Sequence, residues 1–301
     1  MTQTYESLAP IVPLPIASWR AITGYDLPGD YQMALDEALL ESVIAGGVPV
    51  VRFYTWRPAT LSLGVNQPFG EIDADECARR GFGLVRRLTG GRAVLHQHEL
   101  TYSVIALEND SRVSGGVIES YRKISTALVE GLRSMGADVS LAEPSKAMFR
   151  ALAESRRRTE LDDTVDSSNG AVCFDTASAY ELTARGRKLV GSAQARRGGA
   201  ILQHGSILLD VDWDAWVNVF SYASEAGRER AYTKLPSRMT SLSEELGRPV
   251  TARELQAALV PAFERTFGIS LMEAEPTPAE EEAARRLAAE KYATEGWTRK
   301  M

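Results

Sequence analysis

The spacing of apolar and polar residues along the chain predicts a mixture of β-strands and helices. Between Ile118 and Met135 the apolar residues recur every three or four positions, which is the spacing of one helix face. Between Ile201 and Leu209 an apolar segment has a polar Gln-His-Gly-Ser centre, which is typical of a buried strand beside a lined pocket. The same criteria predict helices at 31–45, 73–80, 118–135, 213–226, 251–267 and 277–295, and strands at 48–55, 60–64, 84–88, 92–107, 137–142, 180–184, 188–194 and 201–209.

Two turn segments set the connections that we predict between the early strands. The Trp-Arg-Pro segment at 56–58 separates two short strands and predicts a hairpin. The Thr-Gly-Gly segment at 89–91 joins the next two strands. Paired glycines permit either a plain tight turn or the close approach of a ligand to the backbone, and both interpretations stay open from the pattern alone.

The overall composition is that of an ordinary folded protein. The chain has 301 residues, of which 44% are hydrophobic and 25% are charged. This length allows one large domain or two. The formal net charge of −6 argues against broad binding of nucleic acid, so we expect no nucleic-acid partner.

The sequence predicts neither a membrane protein nor an exported one. No run reaches the roughly 18–20 apolar residues that a membrane-spanning helix needs. The N-terminus lacks a basic segment followed by an apolar core, and two cysteines are too few for a disulfide scaffold. We therefore expect a cytoplasmic protein with reduced thiols and no membrane partner.

The chain divides into a larger and a smaller part. We expect a catalytic domain at 17–245 and a C-terminal helical extension packed on it at 246–301. The first 16 residues carry three prolines and no periodicity, which indicates a mobile arm or an edge. The polar segment 155–170 is predicted to be a flexible loop that leads into Cys173.

The segment 172–210 concentrates the residues that could carry chemistry. It contains Cys173, Lys188 and His204, and a cation near a thiol favours the reactive thiolate. The other cysteine, Cys77, lies on a predicted helix, and we expect it to be a buried structural residue. Five cations predict a basic patch for an acidic protein partner: Arg185, Arg187, Lys188, Arg196 and Arg197.

Two motifs resemble those of the lipoate ligase, octanoyltransferase and biotin ligase superfamily. The first is RRLTGGRAVLHQHELTYS at 86–103, and the second is GRKLVGSAQARR followed by LQHGSILLD at 186–210. The resemblance extends from about Trp19 to Trp297. It implies an α+β fold, in which a mixed β-sheet has flanking helices, of the biotin/lipoate protein ligase-like catalytic type with a short C-terminal helical part.

The position of the cysteine resembles that of the LipM type of octanoyltransferase. Cys173 precedes Lys188 by 15 residues, whereas lipoate ligases need no such thiol and the other octanoyltransferase type carries its cysteine after the His-Gly motif. The resemblance implies an acyltransferase of lipoate biosynthesis with Cys173 and Lys188 as catalytic residues. It further implies that octanoyl moves from acyl carrier protein to Cys173 and then to a lysine of a lipoyl-domain protein, such as glycine-cleavage H protein.

The same resemblance implies which residues bind the acyl substrate. No cofactor is expected. No metal is expected either, because His96 and His98 have no third ligand at a matching spacing. His204 could orient the site or shuttle a proton, and both roles stay open. The predicted substrate-binding residues are Arg86, Gly90, Gly91, His96, Gly191, Ser192, Ala193, His204 and Gly205.

Two departures from the family pattern concern the binding of ATP. Arg92 replaces the third glycine of the first motif, and His98 stands in the segment where the family has a glycine after its histidine. These departures argue more against binding nucleotide phosphates than against binding an acyl chain. Three alternatives stay open: an octanoyl amidotransferase between lipoyl domains, an ATP-dependent lipoate–protein ligase, and a non-enzymatic module that binds a carrier protein.

Overall fold

One large mixed β-sheet organises the fold. The computed structural model describes residues 17–142 and 181–300, so the predicted N-terminal arm, the predicted loop at 155–170 and Cys173 lie outside the described residues. The strands of this sheet are β1 (Ala17–Leu27), β2 (Val50–Trp56), β6 (Glu99–Leu107), β7 (Val139–Leu141), β8 (Leu182–Ala184), β9 (Arg187–Arg197), β10 (Ala200–Leu208) and β11 (Ile269–Glu273). Their order is β11-β1-β2-β6-β10-β9-β8-β7, with parallel pairing from β11 to β2 and antiparallel pairing beyond.

Helices cover both faces of the large sheet, which confirms the predicted α+β class. The helices of the described residues are α1 (Gly29–Ile44), α2 (Ala74–Arg79), α3 (Val117–Ser134), α4 (Trp213–Asn218), α5 (Glu225–Arg238), α6 (Leu242–Leu246), α7 (Ala252–Phe267), α8 (Pro278–Leu287) and α9 (Glu295–Thr298). On one face, Leu128 of α3 and Leu259 of α7 belong to the same apolar core as Tyr102 of β6. On the other face, Leu39 of α1 packs in a core that contains Ile105 of β6.

A row of polar residues crosses the sheet on the face that α1 covers. Successive side chains of a strand point to opposite faces, so β6 gives Tyr102 to the α3 face and Ser103 to the α1 face. Ser103 is paired in register with Arg52 of β2 and with His204 of β10. The polar centre predicted for β10 is therefore continued on two neighbouring strands.

A second, smaller sheet closes one side of this face. It consists of β3 (Thr60–Leu63), β4 (Gly83–Arg86) and β5 (Val94–His96) in the order β4-β3-β5. The predicted hairpin between 48–55 and 60–64 is wrong, because β2 belongs to the large sheet and β3 to the small one. All four residues of β3 are buried, as suits the central strand of a sheet with neighbours on both sides.

The glycine segment at 89–91 crosses from one edge of the small sheet to the other. β4 and β5 lie on either side of β3, so this segment is not a plain hairpin turn. It passes over the end of β3, where a Cβ added to Gly64 would lie 1.9 Å from the carbonyl oxygen of Gly91. The predicted single strand at 92–107 is likewise wrong, because it divides into β5 and β6 in different sheets.

The C-terminal part contributes a strand as well as helices. β11 pairs in parallel with β1, and its short segment had not been predicted as a strand. Helix α8 contacts α1, and Arg20 of β1 pairs with Glu280 of α8. The helix predicted at 277–295 ends at Leu287 and continues as a π-helical turn, Ala288–Tyr292. The boundary between 245 and 246 stays a prediction.

The helix predicted at 213–226 is two helices. The Asp212 side chain caps α4 by accepting a hydrogen bond from Ala215 N, and Ser224 caps α5 in the same way. The second helix continues to Arg238 and contains Pro236. None of the helices in the described ranges is long and apolar enough to cross a membrane.

Candidate active site

A cavity lies beside the polar row, between the large sheet and the small sheet. Six of the predicted substrate-binding residues line it, which brings the two sequence motifs together. The lining residues are Met33, Tyr54, Trp56, Arg87, Val94, His96, Thr101, Gly191, Ser192, Ala193, His204, Gly205 and Ser206.

Both ring nitrogens of His204 are engaged by buried partners. Its Nδ1–H donates to Asp36 Oδ2 at 3.0 Å, and its Nε2 lies 2.6 Å from Thr89 Oγ1. Because a carboxylate can only accept, the Nδ1 of a neutral His204 carries the hydrogen and the Nε2 accepts from the Thr89 hydroxyl. His204 therefore ties the start of the glycine segment to the sheet, which favours a positioning role for this residue over a proton shuttle.

Asp36 is the acceptor at the centre of the polar row, and the sequence analysis had not selected it. Its carboxylate accepts hydrogen bonds from Arg52, from Tyr54 at 2.9 Å and from Ser103 at 3.0 Å, besides that from His204. Burial opposes its ionisation, but the Arg52 charge and these hydrogen bonds prevail and hold its pKa below the usual value. An acid inside the apolar run of α1 was the available sequence signal.

His96 is held as a neutral imidazole in the wall of the cavity. Its ring stacks on Trp56 with centroids 4.0 Å apart, and its Nε2 lies 2.7 Å from Ser62 Oγ. Burial lowers its pKa, although the nearby Glu99 acts in the opposite direction. Since Arg87 donates to the Ser62 oxygen, the Ser62 hydroxyl can donate to His96 Nε2.

The structure separates the two arginines that begin the first motif. Arg87 lines the cavity and donates to the carbonyl oxygens of Gly90 and Arg92, which fixes the glycine segment. Arg86 is fully buried and does not line the cavity, and its predicted role in binding substrate stays a prediction. Its guanidinium donates to the backbone carbonyls of Gly64, Gln67, Thr298 and Lys300.

Gly90 and Gly91 border a separate surface depression rather than the cavity described above. Arg92 also lines it, and its Nη1 donates to both carboxylate oxygens of Glu71 at 2.9 Å. Gly91 has a φ of +90°, a conformation that favours glycine. Arg92, which replaces the third glycine of the motif, thus places an Arg92–Glu71 ion pair beside this segment. A phosphate-binding turn would instead leave its backbone N–H groups open to the phosphate.

Lys188 is buried and forms an ion pair that the sequence analysis had not identified. Its Nζ donates to Glu181 Oε1 at 2.5 Å, and the two side chains are 2% and 3% exposed. β8 brings the two residues together, because Thr183 of β8 pairs with Lys188 of β9. Lys188 does not line the cavity, and its predicted catalytic partner Cys173 is outside the described residues.

Cys77 matches its predicted structural role. The side chain is fully buried in the core beneath the small sheet. Burial and the nearby Asp73 and Glu76 raise the pKa of its thiol to about 12. This thiol therefore stays protonated, and unreactive as a nucleophile, near neutral pH.

The predicted basic patch is wrong in two respects. Arg187 and Arg197 stand at opposite ends of β9, ten residues apart, which is roughly 33 Å in an extended strand. The cations are also paired with acids rather than free. Their partners are Glu245 for Arg185, Glu244 and Glu245 for Arg187, Glu181 for Lys188, Glu108 for Arg196 and Glu37 for Arg197.

The two histidines of the first motif do not share a strand face. β5 ends at His96, which is buried, whereas His98 is exposed at the break before β6. Within residues 17–142 and 181–300, no group of three or more His, Cys, Asp or Glu side chains could hold a metal ion.

Comparison with known proteins identifies the family. Residues 28–264 match the model of the lipoyl protein ligase A/B catalytic domain. The chain belongs to this family. Similar lipoyl protein ligase A/B family members include Octanoyltransferase LipM of Halalkalibacterium halodurans, which is 40% identical over 93% of this chain and 98% of its own length. Those of Moorella thermoacetica and Staphylococcus aureus are 41% and 39% identical, over 95% and 93% of this chain and 100% and 98% of their own.

Solved structures of the family have the same fold. A bipartite lipoate protein ligase from Thermoplasma acidophilum superposes with a TM-score of 0.75 at 25% identity, covering 94% of this chain and 96% of that one. A lipoate-protein ligase A bound with ATP gives a TM-score of 0.70 at 28% identity, covering 94% and 98%. The predicted lipoate protein ligase-like fold is therefore confirmed.

Proposed function

We propose that this protein is an octanoyltransferase of lipoate biosynthesis that transfers octanoyl through a thioester on Cys173. The observation that carries the proposal is the near full-length similarity to octanoyltransferases LipM at about 40% identity. The cavity supports it, because residues of both motifs converge there around a largely apolar space. An eight-carbon acyl chain has the apolar character that such a space binds.

Two displacement steps account for the reaction. The Cys173 thiolate attacks the carbonyl carbon of an octanoyl thioester, a new C–S bond forms, and the donor thiolate leaves with its electron pair. A neutral lysine amine of the acceptor then attacks the acyl-enzyme carbonyl, the amide C–N bond forms, the nitrogen gives up a proton to water, and the C–S bond breaks to release the Cys173 thiolate. Exchange of one thioester for another is nearly balanced in energy, so this covalent route needs no ATP.

The donor and the acceptor are both proteins in this proposal. The donor is octanoyl-acyl carrier protein, and the acceptor is a lipoyl-domain protein such as glycine-cleavage H protein. In the buried Lys188–Glu181 pair, Lys188 lies on β9 and Glu181 directly precedes β8, and the segment with Cys173 comes before them in the chain. Lys188 would support the thiolate, and Glu181 would balance the lysine charge.

Dependence on ATP separates this proposal from its strongest alternative. An ATP-dependent lipoate–protein ligase is favoured by the similarity to a ligase solved with ATP. The Arg92–Glu71 pair at the glycine segment argues against it, because Glu71 already engages the arginine that could otherwise bind a nucleotide phosphate. With ATP removed by apyrase, we expect full transfer from octanoyl-acyl carrier protein to a lipoyl domain. Loss of transfer, together with activity on free octanoate plus ATP, would assign the protein as a ligase.

The same assay distinguishes an amidotransferase. We expect octanoyl-acyl carrier protein to be a better donor than an octanoylated lipoyl domain under matched concentrations. A preference for the octanoylated lipoyl domain would assign transfer between lipoyl domains instead. Absence of transfer from both donors, with retained binding of carrier protein, would support a non-enzymatic module.

A further inference from the structure

The cavity contains one polar side chain that has no partner in the described structure. Ser206 is 2% exposed, and its Oγ is buried without a hydrogen-bond partner among the described residues. Buried hydroxyl groups are usually hydrogen-bonded, because an unpartnered one loses its bonds to water. An exception in the wall of a ligand cavity indicates that the ligand supplies the missing partner.

The remaining polar side chains of the cavity are already engaged. Tyr54 donates to Asp36, Trp56 Nε1 donates to Thr101 at 2.8 Å, and Tyr102 donates to Ser192 Oγ at 2.8 Å. Thr101 in turn donates to Glu99. His96, Arg87 and His204 have the partners described above. Ser192 Oγ accepts from Tyr102 and keeps its own hydrogen, but Ser192 is only half-buried, whereas Ser206 is buried and its hydroxyl has no partner among the described residues.

The strands place the Ser206 hydroxyl at a defined point of the cavity. Ser206 is paired in register with Gly191 of β9 and with Thr101 of β6, and it lies two residues beyond His204 on the same face of β10. Gly191 has no side chain to compete for space beside the hydroxyl. Strands hold their side chains more rigidly than loops do, which suits a residue that must meet one atom of a ligand.

We propose that Ser206 donates a hydrogen bond to the carbonyl oxygen of the acyl group in this cavity. A saturated acyl chain offers one strong acceptor, its carbonyl oxygen, and the rest of the chain suits apolar neighbours such as Met33 and Val94. The bond fixes how deeply the chain enters and orients the carbonyl carbon for attack. The inference rests on the proposed function, because it takes the ligand to be an acyl thioester.

A pair of ligands isolates this hydrogen bond. S-octanoyl-N-acetylcysteamine and S-octyl-N-acetylcysteamine differ in the thioester carbonyl oxygen. Their dissociation constants are measured by calorimetry on two full-length proteins, Cys173→Ala and the double variant Cys173→Ala/Ser206→Ala. The Cys173→Ala change prevents acyl transfer during the measurement. We expect Ser206→Ala to weaken the octanoyl compound about tenfold and to leave the octyl compound unchanged.

Equal effects on the two compounds would overturn the proposal, and so would no effect on either. The latter result is the one expected if the hydroxyl only holds a water molecule. Because binding is measured without turnover, the result decides the role of Ser206 even if the protein proves unable to transfer octanoyl from acyl carrier protein. That failure would instead reject the proposed function.

Thermal stability provides a control on folding. Ser206→Ala removes a hydroxyl without a described partner, so its melting temperature should equal or exceed that of the parent. Ser103→Ala removes a buried hydroxyl on the same sheet face that donates to Asp36, and it should melt at a lower temperature. A marked drop in the melting temperature of Ser206→Ala would show that the hydroxyl stabilises the fold, which would contradict the proposal that it binds a ligand.

Discussion

Lys188 Nζ donates a hydrogen bond to Glu181 Oε1 at 2.5 Å in a part of the protein where both side chains are almost fully buried. A lysine that supports a thiolate is therefore balanced by a neighbouring carboxylate. Burial strengthens such charge interactions, because water screens them less than at the surface. The pair, rather than the lysine alone, sets the electrostatic environment that we propose for Cys173.

Changing each member of the pair should move the reactivity of Cys173 in opposite directions. Lys188→Met removes the cation that favours the thiolate, and Glu181→Gln removes the charge that offsets this cation. We expect the alkylation rate of Cys173 by iodoacetamide at pH 7 to fall about tenfold in the first variant and to rise severalfold in the second. Equal rates in the parent and both variants would assign the pair a purely structural role.

The size of the cavity should limit the length of the acyl chain. Ala193 lines the cavity, and Ala193→Leu would fill part of the space that the chain occupies. We expect the ratio of kcat/KM for octanoyl to that for hexanoyl carrier protein to fall at least about tenfold. Ala195→Leu, two residues along the same strand and outside the lining, serves as the matched control. The same ratio in both variants would contradict this position of the acyl chain.

Arg86 should matter for stability, because it joins the C-terminal segment to the loop after β3. Arg86→Met would leave several buried carbonyl oxygens without their donor, and we expect a loss of about 3–5 kcal/mol in the free energy of unfolding by urea. Arg79→Met provides the control, since Arg79 is 70% exposed and should change stability by less than about 0.5 kcal/mol. Similar free energies of unfolding for the two variants would contradict this stabilising role of Arg86.

The Arg20–Glu280 pair should contribute to stability only above acidic pH. Burial opposes ionisation of Glu280, but its bonds to Arg20 and other donors prevail and lower its pKa from 4.5 to about 2. A depressed carboxyl pKa stabilises the folded state above pH 4.5, and this contribution is lost as the pH falls toward 2.

Urea unfolding of Glu280→Gln tests this pH dependence. The variant should be less stable than the parent by a few kcal/mol at pH 7, and the difference should shrink steadily between pH 4.5 and pH 2.5. Glu281→Gln is the control, because the Glu281–Arg285 pair is exposed and such pairs contribute about 0–1 kcal/mol. A stability difference that did not vary with pH would argue against a charged Glu280.

The sequence predicted the elements of the site better than their arrangement. His204 was predicted because polar residues at the centre of an otherwise apolar strand indicate a pocket. The motif residues around Gly191 were predicted from the family resemblance. The break at 97–98 was missed, and the strands at 48–55 and 60–64 were wrongly paired as a hairpin, because a strand that ends one sheet and a strand that begins another have the same apolar pattern. Only the three-dimensional structure shows that β3 lies between β4 and β5.

Charge partners were the least predictable part of the site. Asp36 meets His204, and Glu181 meets Lys188, through pairings of distant or separate segments that residue types alone cannot select. Arg86 and Arg87 were equivalent in the motif, yet the first contacts the C-terminal backbone and the second the cavity. The prediction of a basic patch was wrong for the same reason, since each of its arginines forms an ion pair with an acid from another part of the chain.

Transfer of octanoyl through Cys173 is the central claim, and the intact mass of the protein tests it directly. The full chain is incubated with octanoyl-acyl carrier protein without nucleotide or acceptor, and the parent, Cys173→Ala and Cys77→Ala proteins are compared. We expect the parent and Cys77→Ala to gain the mass of one octanoyl group and Cys173→Ala to gain none. Octanoylation of Cys173→Ala at the parent rate would contradict the account.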